Sequence, residues 1–125
     1  MTIKEFKDII PKICKADTCN LPEVWDSKNP TMGHCAIVSL LAQELFGGTI
    51  IRVSLESTLY EKLKSHYFNI IDGVEYDFTL DQFESNPYLN KERHVKNRED
   101  ILSNLNTKRR YDFLKNRFEE AYLDK

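Results

Sequence analysis

The order of the secondary-structure signals along the chain predicts an α+β fold with a mainly antiparallel sheet. Helical signals come first, at residues 3–13 and 34–46, and helical spacing returns after residue 97. Three strand-like runs lie between them, and the last two are joined by Asp72-Gly73, the strongest short hairpin signal. The chain has 125 residues, of which 41% are hydrophobic, so we expect one core and a single domain over residues 1–125.

The first helix is predicted by a capping signal and by its apolar spacing. Thr2 and Glu5 have the spacing of a capping box, in which each side chain bonds to the backbone of the other residue. Pro11 is expected to kink or end this helix, because proline lacks the N–H that a helix interior needs. The apolar residues that should share one side are Ile3, Phe6, Ile9, Ile10 and Ile13.

The next elements follow from apolar and β-branched runs. Residues 34–46 are apolar nearly all round, which is typical of a helix that is buried on most sides. Gly47-Gly48 follows and favours a left-handed helix stop. Residues 49–55 are rich in β-branched side chains and predict a first strand. Residues 65–71 and 74–78 predict the two strands of the hairpin.

The last third of the chain is predicted to be helical after an irregular stretch. Residues 79–83 suggest a single helical turn, whereas residues 84–97 are polar and expected to be irregular. Asn97 is the expected cap of a short helix. Thr107 is the expected cap of the final helix, whose apolar residues recur at helical spacing as Tyr111, Leu114, Phe118 and Tyr122.

Composition excludes several classes of protein. The 18 basic and 20 acidic residues give a net charge of −2, which argues against a protein that coats nucleic acid or an anionic membrane. We find no apolar run of the ~20 residues that span a bilayer, and the charged N-terminus does not resemble a signal peptide. We therefore expect a cytoplasmic protein whose three cysteines, Cys14, Cys19 and Cys35, are reduced thiols.

Cys35 is the candidate nucleophile because of its place at the first turn of the buried helix. The N–H groups of that turn have no helical partners, and the helix dipole places partial positive charge there. A thiolate is favoured at such a site, and the same N–H groups can receive the negative oxygen of a tetrahedral intermediate. The alternative is a small apolar Cys35 that fills space in the core.

His66 and Asp77 are the candidate general base and its orienting carboxylate. A two-residue turn at Asp72-Gly73 would make them diagonal neighbours on one face of the hairpin, about 7 Å apart at the backbone. A three-residue turn would put them on opposite faces, and an exposed hairpin with an unrelated His and Asp remains an alternative. The other face carries Tyr67, Asn69, Ile71, Val74, Tyr76 and Phe78 and is the expected core face.

An oxyanion hole would complete such a site. The backbone N–H of Cys35 is one predicted donor, and the side chain of Asn29, six residues earlier, is the candidate for the second. Asn29 can also be a simple turn residue before Pro30. His34 can contribute to the site, although adjacent residues on a helix point about 100° apart, which argues against His34 as the base.

Two more side chains are candidates for the walls of the site, and a metal site is the weaker alternative. Trp25 can line a cleft or cover the core, and Gln82 can orient Asp77, contact substrate or pack its own turn. Cys14 and Cys19 with His34 and Cys35 would be an unusual zinc set, since zinc ligands come at tighter paired spacing. We expect neither a metal nor a cofactor.

The segments that hold these residues are N-P-T-M-G-H-C-A at 29–36, S-H-Y-F-N at 65–69 and E-Y-D-F-T-L-D-Q-F at 75–83. With G-G at 47–48, they resemble the YunG-like family of small bacterial proteins, whose pattern is N-P-x-x-G-Q-C-A, G-G, H-Y-W-N and D-x-T-x-x-Q-F. The segment T-K-R-R-Y-D-F-L at 107–114 resembles the closing helix of that family. The resemblance covers most of the chain.

The resemblance implies a papain-like order of Cys, His and Asp. This chain departs from the family pattern at His34, where the family has Gln, and at Phe68, where it has Trp. If that Gln donates a hydrogen bond to the oxyanion in relatives, the oxyanion hole of this chain would be altered, because His34 stands in its place. The motif positions that the resemblance identifies are Cys35, His66, Asn69, Asp77, Thr79, Gln82 and Phe83. Among them, Asn69 is a further candidate for the oxyanion hole or the wall of the site.

These observations predict a papain-like or transglutaminase-like domain in which a buried, Cys-bearing helix packs on a small antiparallel sheet. The predicted function is a cysteine-dependent acyl-transfer hydrolase, of the amidase, peptidase or deamidase type, that uses Cys35, His66 and Asp77. Its substrate would be a small amide or a protein side chain, and an amine acceptor would give transglutamination instead. The alternative is an inactive binding or regulatory module of the same fold. We expect no nucleic-acid or membrane partner, and the oligomeric state stays open.

Overall fold

Residues 1–123, which the computed structural model describes, form an α+β structure with a four-stranded antiparallel sheet. Residues 124 and 125 of the predicted domain lie outside the described residues. The strands are β1 (Thr49–Ser54), β2 (Ser65–Ile71), β3 (Val74–Tyr76) and β4 (His94–Lys96), in the spatial order β3-β2-β1-β4. The helices are α1 (Ile3–Ile13), α2 (Cys35–Phe46), α3 (Arg98–Leu102) and α4 (Leu105–Phe118).

The start of α1 matches the predicted capping box, and its end matches the helical signal over residues 3–13. The Glu5 N–H donates to the Thr2 hydroxyl (3.1 Å), and the Thr2 N–H donates to the Glu5 carboxylate (3.0 Å). The helix does not end at Pro11 but continues to Ile13. Pro11 removes only the bond to the carbonyl of Lys7, an exposed residue whose carbonyl can bond to water, while burial of Ile13 favours the extra turn.

The predicted buried helix is confirmed as α2. Its central residues, 37–42, are all buried, and His34 stands at its N-cap position. The helix packs on β1 and β2 on one side and on α1 and α4 on others. An apolar surface that runs nearly all round a helix needs neighbours on nearly all sides, and these elements supply them.

The hairpin has the predicted two-residue turn. Ile71 pairs with Val74, Ile70 pairs with Glu75, and Asn69 pairs with Tyr76, the last residue of β3. Asp72 and Gly73 both have positive φ, 51° and 79°, which is the turn geometry that matches the twist of the flanking strands. Asp77 therefore follows directly after β3 and lies on the same side of the hairpin as His66, as the register predicts.

Both faces of the sheet are covered, which the sequence did not predict. The expected core face packs against α1, α2 and α4 through Ile50, Ile71 and Phe78. The opposite face carries a second buried cluster, formed by Ile51, Val53, Phe68 and Tyr88. Tyr88 comes from the stretch that was expected to be irregular, and its ring closes this face over β2.

The stretch 84–97 also contains β4, an edge strand that pairs with β1. Its residues His94 and Val95 are exposed, so it lacks the alternation of apolar and polar residues by which a half-buried strand is recognised. Pairing with β1 satisfies its backbone, and that partner is contributed by a distant part of the sequence.

The C-terminal helices are present, with one predicted cap displaced. Asn97 caps α3 by accepting the Asp100 N–H (3.1 Å), as predicted. The cap of α4 is Asn104, whose side chain accepts the Thr107 N–H (3.0 Å), so Thr107 lies in the first turn and is not the cap. An asparagine is as good a cap as threonine, and the earlier start adds three residues, nearly one turn, to the helix. None of the helices in residues 1–123 is long and apolar enough to cross a membrane.

We predict that Gly48→Ala destabilises the protein more than Gly47→Ala. Both glycines have positive φ, 83° and 77°, so alanine costs about 1–2 kcal/mol of strain at either position. Only at Gly48 would a Cβ atom meet backbone, 2.1 Å from the carbonyl oxygen of Ile70. We expect a further loss of about 2–3 kcal/mol there, since β2 must move. Urea unfolding of both variants measures the difference, and equal losses would contradict the close approach.

Candidate functional site

Cys35 is the first residue of α2, and its half-buried side chain lines a cavity of about 460 Å³. Its sulfur lies 3.9 Å from the carbonyl oxygen of Ser65, at the start of β2. Among the described residues, no acceptor takes the backbone N–H of Cys35. The thiol is therefore accessible from the cavity, beside an unpaired N–H at the positive end of a helix dipole.

Gln82 ties the loop before α2 to the turn after the hairpin. Its side-chain oxygen accepts the Gly33 N–H (3.3 Å), and its side-chain nitrogen donates to the Thr79 carbonyl (3.0 Å). Its backbone carbonyl accepts a hydrogen bond from the Asn29 amide (3.2 Å). These bonds join two segments that are 49 residues apart in sequence, and they hold the start of α2 against the turn that follows Asp77.

His66 and Asp77 form the pair that the hairpin register predicts. The Nε2 atom of His66 lies 2.7 Å from Oδ2 of Asp77, with the His side chain fully buried and the Asp side chain 6% exposed. The other carboxylate oxygen accepts the Thr79 N–H (3.2 Å), and the Tyr88 hydroxyl donates to Oδ2. Three donors thus fix the orientation of the carboxylate, which in turn fixes the imidazole ring.

The surroundings of His66 favour its charged form. Burial by itself would lower the pKa of His66, but the hydrogen bond to Asp77 and the nearby Asp77 and Cys35 side chains outweigh it and raise the pKa to about 9. His66 is therefore an imidazolium at neutral pH, with a carboxylate on one side and the Cys35 thiol near enough to act on it.

The other ring nitrogen of His66, Nδ1, is buried and has no hydrogen-bond partner among the described residues. Since Nε2 is bonded to Asp77, Nδ1 is the nitrogen left for Cys35. A buried N–H without an acceptor is costly, and a thiolate at Cys35 would relieve that cost.

Aromatic rings enclose the imidazole. Tyr88 stacks on His66 with ring centroids 5.2 Å apart, and Phe83 meets it edge-on at 4.9 Å. Burial and the hydrogen bond to Asp77 both raise the pKa of Tyr88, so its hydroxyl stays a neutral donor. The enclosure keeps water from the His66–Asp77 bond, which strengthens it.

His34 lies next to Cys35 in sequence but serves the scaffold. It is fully buried, with Nε2 2.8 Å from the Thr18 hydroxyl and Nδ1 3.0 Å from the Met32 carbonyl. Burial is the main cause that lowers the pKa of His34 to about 4, so it is neutral, with Nδ1 as the donor to Met32. Its side chain does not line the cavity that contains Cys35.

Three other predicted wall residues also make scaffold contacts. Trp25 donates to the Pro30 carbonyl (3.0 Å), and Asn69 donates to the Ser39 carbonyl of α2 (3.0 Å). Asn29 donates to Gln82 as described, so its amide is not directed at Cys35. Of the predicted wall residues, Gln82 alone lines the Cys35 cavity in the described part of the chain.

Three residues at the site were missed by the sequence analysis. Tyr88 holds Asp77, Asn20 lines the cavity, and Arg110 lines it while only 4% exposed. Arg110 follows Lys108 and Arg109, and a basic run of this kind is more typical of a helix surface than of a cavity wall. The available signal was its spacing four residues before Leu114, on the apolar side of α4. Within residues 1–123, no three His, Cys, Asp or Glu side chains cluster as metal ligands would.

The sequence of the chain is similar to a known protein family and to one of its relatives. A family model described as "YunG protein" matches residues 2–123 of the chain. The "Uncharacterized protein YunG" of Bacillus subtilis (strain 168) is 36% identical over 61 residues, which is 49% of this chain and 48% of that protein. The alignment thus spans about half the length of this curated relative. No solved structure matches the chain.

We predict that iodoacetamide alkylates Cys35 well before Cys14 and Cys19 in the folded protein. Cys35 is half-buried on a cavity, whereas the other two are buried, and burial raises the pKa of both thiols. Peptide mass spectrometry after timed alkylation measures the three rates, and unfolding in urea should equalise them. Equal rates in the folded protein would contradict the accessibility of Cys35.

We predict that His66 stabilises the protein most at low pH. Its pKa in the folded protein, about 9, lies above the unfolded value of 6.5. Its contribution is therefore complete below about pH 6.5 and is lost as pH rises through 9, by at most about 3 kcal/mol. Urea unfolding of wild type and His66→Gln from pH 6 to 9.5 measures this as a shrinking difference. A difference that is constant across this range would show that His66 is not held charged.

Proposed function

The chain belongs to the YunG protein family, and we propose that it is a cysteine-dependent acyl-transfer hydrolase with a papain-like arrangement of Cys35, His66 and Asp77. The observation that carries the proposal is the buried His66–Asp77 pair (2.7 Å) beside a thiol that opens on a cavity. A thiol, an imidazole and a carboxylate are the groups that acyl-transfer chemistry uses as nucleophile, base and orienting group, and their presence around one cavity supports the proposal.

The fold proposed for this function is papain-like or transglutaminase-like. In its support, a helix that begins with Cys35 packs on an antiparallel sheet, and that sheet carries His66 on β2 with Asp77 just after β3. The nucleophile thus lies on a rigid helix end, and the base and its partner lie on a hairpin. Rigid supports of this kind hold reacting groups in place without ordering them anew in each turnover.

In the first step, the Cys35 thiolate attacks the carbonyl carbon of an amide. A C–S bond forms, and the carbonyl oxygen takes the electron pair of the C–O double bond as a tetrahedral oxyanion. The C–N bond then breaks as the oxyanion collapses, and the His66 imidazolium gives its Nδ1 proton to the leaving amine. Asp77 keeps Nε2 as the bonded nitrogen, so that Nδ1 is the one that transfers the proton.

The oxyanion requires donors near the sulfur, and the proposal assigns two candidates. The Cys35 N–H has no acceptor among the described residues, and it lies at the helix end where negative charge is stabilised. The second candidate is the side-chain amide of Asn20, since Asn20 lines the cavity and its backbone N–H donates to the carbonyl of Gly33, two residues before Cys35. Asn20 takes the role in the proposal that the sequence analysis had assigned to Asn29.

In the second step, water attacks the thioester carbonyl. His66, now neutral, removes a proton from the water, the C–S bond breaks, and the thiolate–imidazolium pair returns together with the carboxylic acid. An amine in place of water would give a new amide. The substrates proposed are therefore small amides or amide-bearing side chains.

We predict that iodoacetamide alkylates Cys35 faster at pH 7 in the wild-type protein than in His66→Gln. The raised pKa of His66, about 9, keeps an imidazolium beside the thiol at that pH, and its positive charge favours the reactive sulfur anion. Asp77→Asn should slow the reaction as well, by a smaller amount. Peptide mass spectrometry after timed alkylation measures these rates.

His94→Gln is the matched control, since His94 also lies near a carboxylate, Glu92 (3.8 Å), but both are on the surface. It should leave the alkylation rate of Cys35 unchanged. Amine release from a panel of amides then tests turnover, and Cys35→Ala should lower it by about three powers of ten or more. If Cys35 is alkylated no faster in the wild-type protein than in His66→Gln, the proposal is overturned and a binding or regulatory module is favoured.

A further inference from the structure

Arg110 is a buried charge in the wall of the Cys35 cavity. It is 4% exposed, and no carboxylate among the described residues lies within 4.0 Å of its guanidinium. Its partners are all neutral: the Thr18 carbonyl (3.1 Å), the Gly33 carbonyl (3.5 Å), the Asn106 side-chain oxygen (2.8 Å) and the Thr107 hydroxyl (3.4 Å). A buried cation held by neutral acceptors lacks the counter-ion that usually accompanies it.

The guanidinium keeps some donor capacity for a ligand. An arginine has five N–H bonds, and the four contacts above leave one on Nη2. The contacts to Gly33 and Thr107 are long, so a stronger acceptor can replace them. Burial lowers the pKa of Arg110, while negative charge at Cys35 acts in the opposite direction, so the two groups lie within electrostatic reach of each other.

The rest of the cavity wall is also positive. Lys62, Lys64 and Lys96 line it, and none of them has a carboxylate within 4.0 Å among the described residues. Asp100 is the single carboxylate in this lining as far as the structure describes it. Four cations against one anion, in a recess where water screens charge less than in bulk, favour an anionic ligand.

We propose that Arg110 binds a carboxylate group of the substrate, so that the amides on which Cys35 acts are ones that carry a carboxylate. This inference rests on the proposed function and adds the class of substrate to it. A carboxylate matches the planar guanidinium, and it would supply the missing counter-ion while it holds the amide carbonyl near the sulfur. A neutral amide would leave the buried charge without a partner.

Two alkylating reagents of the same size test this directly, since iodoacetate carries a carboxylate where iodoacetamide carries an amide. The ratio of the two rates at Cys35, iodoacetate over iodoacetamide, should exceed the ratio for the neutral model thiol N-acetylcysteine amide by about tenfold. Arg110→Gln should bring the ratio down to that of the model thiol, and Arg110→Lys should keep part of the preference. Arg109→Gln, which removes the same charge from the exposed neighbouring position, should leave the ratio unchanged.

A ratio that Arg110→Gln does not change would overturn the proposal. Equal slowing of both reagents would overturn it as well, because Arg110 would then be only a counter-ion of the thiolate. Glutaramate and glutaramide supply a test that needs no variant. Glutaramate, with one carboxylate, should protect wild-type Cys35 from iodoacetamide in a saturable way, and glutaramide should not. Equal protection by both, or by neither, would contradict the assignment.

These measurements separate the inference from the function on which it rests. Alkylation and protection report on binding at the cavity and require no turnover. Protection by glutaramate without hydrolysis of any carboxylate-bearing amide would retain the anion site and reject the enzyme. Hydrolysis of neutral amides with no preference for anionic ones would retain the enzyme and reject the role of Arg110.

Discussion

The two-residue turn at Asp72-Gly73 is the constraint on which the site depends. Because side chains alternate between the faces of a strand, a shift of one residue would move every side chain of β3 to the other face. Positive φ at both turn residues favours the two-residue form, and the resulting register places Asp77 on the side of His66. The orientation of the imidazole, its charge and the direction of its free nitrogen all follow from that one local geometry.

The second requirement is that Cys35, the proposed nucleophile, lies beside this hairpin although it belongs to another part of the chain. Two side-chain bonds secure this: Gln82 holds Gly33 just before α2, and Asn69 on β2 holds the Ser39 carbonyl within α2. Neither side chain acts in the proposed chemistry, yet both fix the start of α2 relative to the hairpin. The motif positions Asn69 and Gln82 therefore have a structural explanation independent of substrate.

The elements that sequence could predict are those whose signals are local. The capping box of α1, the apolar run of α2 and the hairpin each carry their information within a few residues. The strand β4 could not be predicted, because its polar residues pair with β1 only after the sheet exists. The burial of Arg110 and the position of Tyr88 could not be predicted either, because charged and polar segments such as those around them are typical of solvent-exposed chain.

The sequence by itself predicted the α+β class, a buried helix with Cys35 in its first turn and, given a two-residue turn, the pairing of His66 with Asp77, because turn chemistry and side-chain periodicity act over short distances. Only the tertiary structure decided which polar side chains face the cavity. It directed Asn29, His34 and Asn69 to scaffold bonds and brought Asn20 and Arg110 to the Cys35 cavity. Such placement depends on long-range packing of loops and helices, and a buried polar group goes where a distant partner satisfies it.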